Sequence, residues 1–338
     1  VSIEEAQQLV LRHYGVAARA RLLAGEKDSN FHIVSDDARE FLLKVIHPGE
    51  EALLTSLQTQ ALLHVQRVAP DLGTQKVQLT LEGTAEPSYV DRFGMPRAVR
   101  LVTFSQGVLQ RDTPTSKGQR FNLGAALAKL QLALDGFDHL GADHELLWDI
   151  SRASDLRNLV PSIDSDSKRS MLLEQLDRFD ADVAPALQRM RRQVVHNDFS
   201  SDNILVSAKD STAITGILDF GDMLRTQVVN DVAVGAAYQF TNAGDPLEPA
   251  IDFIKGFISI KPLLTEELLL MHDLLLTRMV TRLAITEWRA QQMPENKAYV
   301  LRNTSNAWIQ FGRLRALPRV TAINHIVGSC NASASVRQ

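Results

Sequence analysis

Cysteine is almost absent: Cys330 is the single one among 338 residues. One thiol forms no disulfide within the chain and builds no thiolate metal site. The simplest reading of Cys330 is an incidental thiol. A long apolar run is lacking too. The richest stretch, ELLLMHDLLLTRMVTRLAI, is broken by His272, Asp273, Arg278 and Arg282, so it reads as a buried helix and not a membrane span. Excess basic charge is missing. The formal net charge is -4, which argues against nucleic acid as the main partner, because backbone neutralisation needs a basic surface. The N-terminal VSIEEAQQLVLRHYG is acidic and amphipathic, unlike a signal peptide. A cytoplasmic chain with no membrane or nucleic-acid partner is expected. There is no internal repeat or low-complexity segment, and nothing in the pattern specifies an oligomeric state.

What is present is ordinary for a globular protein: 45% hydrophobic and 22% charged residues. IEEAQQLVLRHYG has helical period and a closing glycine, Gly15. The next stretch, 18–46, reads as three strands separated by GEKDSN and SDDAR, both rich in turn-favouring residues. Residues 50–69 return to helical period. VQLTLEG and AVRLVTF read as further strands, with FGMP turning the chain between SYVDR and the second of them. After Phe104 a polar connector, SQGVLQRDTP, leads into mainly helical sequence. GQRFNLGAALAKLQLALDGF, SKRSMLLEQLDRF, 266–292 and 299–315 are amphipathic. The last eight residues, NASASVRQ, are expected to fray. The class is therefore α+β. A small antiparallel-sheet unit spans 1–104 and a larger helical unit spans 105–338, with a cleft between them as the place for ligands.

One stretch breaks the helical pattern. HNDFSSDNILV, from His196 to Val206, holds more polar residues than a turn requires, and it is followed by AITGILDFGDM. Asp198 follows an apolar pair, Asn203 precedes a strand, and Asp219 ends the next. If the strands pair as a hairpin, Asp198, Asn203 and Asp219 converge at one edge. An oxygen-only set of this kind suits Mg²⁺, which binds one or two protein oxygens and keeps water and phosphate for the rest. A further carboxylate can accept a proton from an attacking hydroxyl. The rival reading for each residue is turn capping.

His196-x-Asp198-x₄-Asn203 followed by Asp219-Phe220-Gly221 resembles the catalytic segments of the aminoglycoside phosphotransferase and choline kinase superfamily, which has the protein-kinase-like fold. Asn197 stands where protein kinases carry arginine, which favours the small-molecule branch. Gly25 to Phe31, Phe41 to Val45, Trp148-Asp149 and Leu218 to Met223 together are similar to hydroxylysine kinases and to the kinase-like domain fused to class III aminotransferases. Homoserine-kinase-like proteins are more distant.

This resemblance implies a bilobal fold and transfer of a γ-phosphoryl group from ATP or GTP, with Mg²⁺, to a hydroxyl on a small amine or amino acid. It makes Asp198 the base and Asn203 and Asp219 the metal ligands, with His196 structural. Lys44 would meet the α- and β-phosphates; its rival role is an edge lysine snorkelling to solvent. Gly25, Ser29 and Asn30 would cover the phosphates, and LVTFSQG would be the hinge beside the purine. The family pairs this lysine with a glutamate on the next helix. Gln58 stands at the best-aligned position, either as a neutral substitute or through a shifted register.

For the substrate, the helical part offers Trp148, Asp149, Asp222, Tyr238, Arg278, Arg282, Glu287 and Trp288. Arg278 and Arg282 lie four apart on one face of an apolar helix. They are expected to bind a substrate carboxylate, or else to form structural ion pairs with Asp149 or Glu287. Asp222 supports Asp219 or faces a substrate amine. The absence of a dense acidic run favours an amino acid over a polycationic antibiotic. Homoserine, choline, ethanolamine and aminoglycosides remain alternatives, as does a non-catalytic nucleotide-binding module that regulates a partner.

Overall fold

The computed structural model describes residues 1–25 and 27–335, with backbone alone for 332–335. Helix α1 (Ile3–Tyr14) starts at a capping box: Ser2 Oγ accepts from the Glu5 N–H, and Glu5 accepts from the Ser2 N–H. It ends at Gly15, whose φ of 67° closes the last turn. Strands β1 (Ala18–Leu23), β2 (Ser29–Ser35) and β3 (Glu40–Val45) follow, then helix α2 (Ala52–Val68) and strands β4 (Ser88–Val90) and β5 (Pro96–Thr103). The five form one antiparallel sheet in the order β1-β2-β3-β5-β4.

Strand alternation divides the sheet's faces. Phe31, Ile33, Phe41, Leu43 and Val45 bury against Ala6, Leu9, Val10 and Tyr14 of α1. Lys44 therefore turns to the opposite face, with Asn30 and Arg100 as its cross-strand neighbours. Two local expectations need correction. Ser29 and Asn30 already belong to β2, paired with Val45 and Lys44, so they are strand and not turn residues. VQLTLEG forms no strand: only Val77 bridges Val102, because β4 takes the rest of that edge of β5.

The larger part opens with β6 (Val108–Leu109), so the polar connector also supplies a strand. Helices α3 (Lys117–Ala133), α4 (Asp166–Arg178) and α5 (Ala184–Leu187) come next. Strands β7 (Arg192–Val195), β8 (Ile204–Val206), β9 (Ile214–Ile217) and β10 (Leu224–Gln227) make two small sheets, β6-β8-β9 and β7-β10. Helices α6 (Val228–Ala237), α7 (Glu248–Ile258), α8 (Thr265–Gln292), α9 (Lys297–Val300), α10 (Thr304–Arg315) and α11 (Arg319–Ser335) complete the chain.

The 28-residue α8 is the centre of this part, packed by α6, α10 and α11. The architecture is thus α+β and bilobal, as expected. The helix foreseen from 299 begins at Thr304, after the separate short α9. α11 carries regular structure through 331–335, held by buried Ile326 and Cys330, so the tail is not frayed there; 336–338 lie outside the described residues. Among the described residues no helix is long and apolar enough to cross a membrane.

Candidate active site

The hairpin foreseen between the two polar segments forms as β8 and β9, with Ile204 opposite Ile217. It aligns Asn203 with Leu218, whose N–H donates to the Asn203 carbonyl at 2.8 Å. Asp219 follows at once, at φ 53°. That left-handed conformation is costly for a residue with a side chain. The Asp219 Oδ1 accepts the Gly221 N–H at 3.1 Å, which fixes the turn locally.

β7 delivers the other segment. His196 is fully buried, and its Nε2 donates to the Leu218 carbonyl at 2.9 Å while Nδ1 accepts the Asp198 N–H at 3.3 Å. This ring ties the two loops together, in line with a structural role. Asn197 stands at φ 62°, and its N–H donates to Asp231 Oδ1 at 2.8 Å.

Asp198 is held by Asn203, whose Nδ2 donates to the Asp198 carbonyl at 3.0 Å and to Oδ2 at 2.7 Å. With both amide hydrogens spent there, the Asn203 Oδ1 is left to face elsewhere. The donor set therefore fits a hard cation: one amide oxygen and the Asp219 carboxylate, the few protein oxygens such an ion takes beside phosphate and water. Among the described residues no three His, Cys, Asp or Glu side chains form a cation cage.

The Asp198 Oδ1 meets a different group. The Tyr238 hydroxyl donates to it at 3.3 Å, and Arg278 Nη2 lies 3.9 Å away. Burial pushes the Asp198 carboxyl above its usual range and Asp219 adds to this, while Arg278, His196 and Tyr238 act against it. A cavity of about 230 Å³ opens beside it, lined by Trp148, Asp198, Asp219, Asp222, Tyr238, Arg278 and Arg289.

Arg278 is 3% exposed. Its Nη1 donates to the Trp148 carbonyl and its Nη2 to the Tyr238 hydroxyl, each at 3.3 Å. Its guanidinium also lies 5.1 Å from the Trp148 ring centroid. The ion pairs weighed for it are made elsewhere or not at all. Asp149 caps the turn at Ser151 and accepts the Thr226 hydroxyl at 2.9 Å, while Glu287 accepts the Trp308 indole N–H at 3.2 Å. Arg282, one turn along, lies 5.7 Å from the Tyr238 ring centroid.

In the sheet lobe Lys44 Nζ lies 3.9 Å from Asp28 Oδ2. Asp28 is itself positioned by the His47 N–H, donated to Oδ1 at 2.8 Å. The supposed link from Lys44 to Gln58 is replaced. Gln58 Oε1 instead accepts from Arg100 at 3.4 Å, and Arg100 also donates to Glu86 and to the Thr55 carbonyl, both at 3.0 Å. The reason is register: Arg100 sits directly across from Lys44, and the buried guanidinium takes the partners on α2. Gly25 is tightly wrapped. A Cβ there would come within 2.5 Å of the Asp28 carbonyl and 2.7 Å of Asn30 Nδ2. Asn30 Oδ1 is buried with no partner among the described residues.

Asp231, Asp28 and Arg100 escaped the sequence reading. Asp231 had a signal: Asn230-Asp231 are the polar pair inside an otherwise apolar run, VVNDVAVGAA. A buried carboxylate in such a run must serve something specific.

Comparison with known proteins accords with this geometry. The phosphotransferase enzyme family matches residues 19–257, well over half of the chain. A hydroxylysine kinase of Danio rerio is 25% identical over 325 residues, covering 91% of this chain and 92% of that protein. Among solved structures, amicoumacin kinase hAmiN in complex with AMP-PNP, Ca²⁺ and Ami superposes with a TM-score of 0.68 at 14% identity, over 94% of this chain and 95% of its own. A microcompartment-associated aminopropanol kinase gives 0.64 at 16% identity, over 98% and 97%. A sheet lobe carrying Lys44, a hairpin that joins Asn203 to Asp219, and a family match spanning both lobes lead to one assignment: the chain belongs to the phosphotransferase enzyme family.

Proposed function

We propose that this protein transfers the γ-phosphoryl group of a magnesium nucleotide to the hydroxyl of a small hydroxylated amine or amino acid, with 5-hydroxylysine the foremost candidate. The observation that carries this reading is the fixed Asp198. One carboxylate oxygen is held by Asn203, and the other opens on a cavity lined by aromatic and charged groups. The curated relatives named hydroxylysine kinase support the choice of substrate, since they match nearly the full length of the chain.

In this reaction the substrate hydroxyl lies against Asp198 Oδ1. Its oxygen attacks the γ-phosphorus in line, the bond to the bridging oxygen of the nucleoside diphosphate breaks, and the proton passes to Asp198. Burial makes that carboxylate a better proton acceptor than an exposed aspartate. Asn203 and Asp219 hold Mg²⁺, which when bound neutralises charge on the phosphate oxygens. Lys44 neutralises the α- and β-phosphates from the facing lobe, and Gly25, Ser29 and Asn30 lie along the same loop and strand. Gln58 acts behind this group, through Arg100. The catalytic work is positioning and charge neutralisation, with no covalent enzyme intermediate.

The test is nucleoside-diphosphate release from Mg·ATP and Mg·GTP. The acceptors are 5-hydroxylysine, homoserine, ethanolamine, choline and kanamycin, with Asp198→Ala as blank. Turnover on a hydroxylated amino acid that the variant loses by at least about 10²-fold is expected, with nucleotide affinity kept. Nucleotide binding without turnover on any acceptor would leave an acceptor outside this set or a regulatory binding module.

A further inference from the structure

We propose that Arg282 seats the α-carboxylate of the substrate, one helical turn beyond the base, and that Arg278 is a positioning residue for Asp198. This rests on the amino-acid kinase reading above and divides two arginines that the sequence presents as an equivalent pair.

The two guanidiniums differ in what they already hold. Arg278 is buried and committed: it reaches the Trp148 carbonyl, the Tyr238 hydroxyl and the Asp198 carboxylate. Its charge is spent on the base. Arg282 is partly exposed, and among the described residues its contact is the face of Tyr238, with no hydrogen bond or ion pair. Burial lowers its pKa and Arg278 adds to this, while Tyr238 and Asp202 act against it. A partly buried guanidinium with five donors and no hydrogen-bonded partner gains from a ligand that brings an anion. A carboxylate matches it as a bidentate partner.

Spacing then selects the ligand. Both guanidiniums flank the ring of Tyr238, at 5.6 and 5.7 Å from its centroid. Positions four apart on a helix are separated by about 6 Å along its axis. Arg282, which is not among the residues lining the cavity at Asp198, stands roughly 6 Å beyond Arg278 along α8, so a carboxylate seated there would lie about that far from a hydroxyl at the level of Arg278. An extended chain gains about 3.5 Å for every three bonds. The five bonds from carboxyl carbon to hydroxyl oxygen in 5-hydroxylysine span that distance. Serine, with three bonds, stops short at the level of Arg278, and homoserine falls between. Ethanolamine, choline and aminoglycosides offer Arg282 no carboxylate.

The experiment compares 5-hydroxylysine with its decarboxylated counterpart, 1,5-diaminopentan-2-ol, in the wild type and in Arg282→Gln, Arg278→Gln and Arg289→Gln. The wild type is expected to prefer the acid in kcat/KM by about 30- to 100-fold. Arg282→Gln should bring that ratio to within about threefold through KM, at an unchanged or higher melting temperature, because it strands no partner. Arg278→Gln should lower kcat on both substrates and keep the ratio. If the glutamine variant misfolds, Arg282→Lys, which keeps the charge, should retain part of the preference.

Equal losses on both substrates in Arg282→Gln would overturn the assignment. So would collapse of the ratio in Arg278→Gln or Arg289→Gln, or a wild type indifferent to the carboxylate. Absence of turnover on every hydroxylated amino acid is a separate result: it removes the amino-acid kinase reading itself, and this assignment with it.

Discussion

Asp231 shows how one buried residue can hold a loop it does not enter, the loop that carries Asp198. Its Oδ1 accepts the Asn197 N–H at 2.8 Å and its Oδ2 accepts from Gln131 at 2.9 Å. Burial raises its pKa, with both hydrogen bonds acting against that shift. Asn197 is held at φ 62°, directly before Asp198. Asp231→Ala strands two donors and should lower stability by about 1–3 kcal/mol. It should also cut kcat, because the Asn197 N–H loses the acceptor that holds it next to Asp198. Asp231→Asn keeps an acceptor for Asn197 and should recover part of both. Urea melts alongside kcat decide it: lost stability with normal turnover would reduce Asp231 to a packing residue.

Cys330 gives a second residue-scale test. It is 1% exposed, and burial pushes its thiol up to about 11. A raised thiol pKa leaves less of the reactive thiolate at neutral pH. A thiol reagent at pH 8 should therefore label the unfolded chain readily and the native chain hardly at all. Rapid native labelling would show that α11 opens.

At the scale of elements, the crossing of α3 and α7 is set by glycine. A Cβ on Gly124 would fall on the Phe253 carbonyl, and one on Gly256 would fall on the Phe121 carbonyl. Each helix thus presents its bare backbone to the other. The contact matters for the site because α3 carries Gln131, which holds Asp231. Gly124→Ala and Gly256→Ala should each cost at least about 1–3 kcal/mol through overpacking. Gly312→Ala, in α10 with open space around it, should instead gain about 0.5–1 kcal/mol from helix propensity. Thermal denaturation of the three variants is the check, and equal effects would refute the close-approach argument.

For the whole molecule, the proposed nucleotide groups come from both lobes: Lys44 from the sheet, Asn203 and Asp219 from the β8–β9 hairpin. A ligand shared in this way stabilises the folded state by mass action, about 2.7 kcal/mol at a concentration of 100 Kd. Mg·nucleotide should raise the melting temperature of the wild type and of Asp198→Ala alike. Lys44→Ala should show much less of that rise at the same concentration. A full rise in Lys44→Ala would leave this lysine an interior-strand residue whose partner among the described residues is Asp28.

The sequence by itself determined what depends on local chemistry. The strand period of FLLKVI fixed which face Lys44 takes. The apolar residues flanking the polar turns fixed a hairpin, and the hairpin fixed Asn203 beside Asp219. VVNDVAVGAA shows its polar pair but not what that pair holds, and the partner of Lys44 was illegible. A helix buried all round has no polar face to give it a period, and a charge pair depends on residues far apart in the chain. Only the tertiary structure decided that Asp28 and not Gln58 meets Lys44, because Arg100 takes the partners on α2. Only it separated Arg278 from Arg282: on a helix they are equivalent by spacing, and what distinguishes them is which one the fold brings against Asp198.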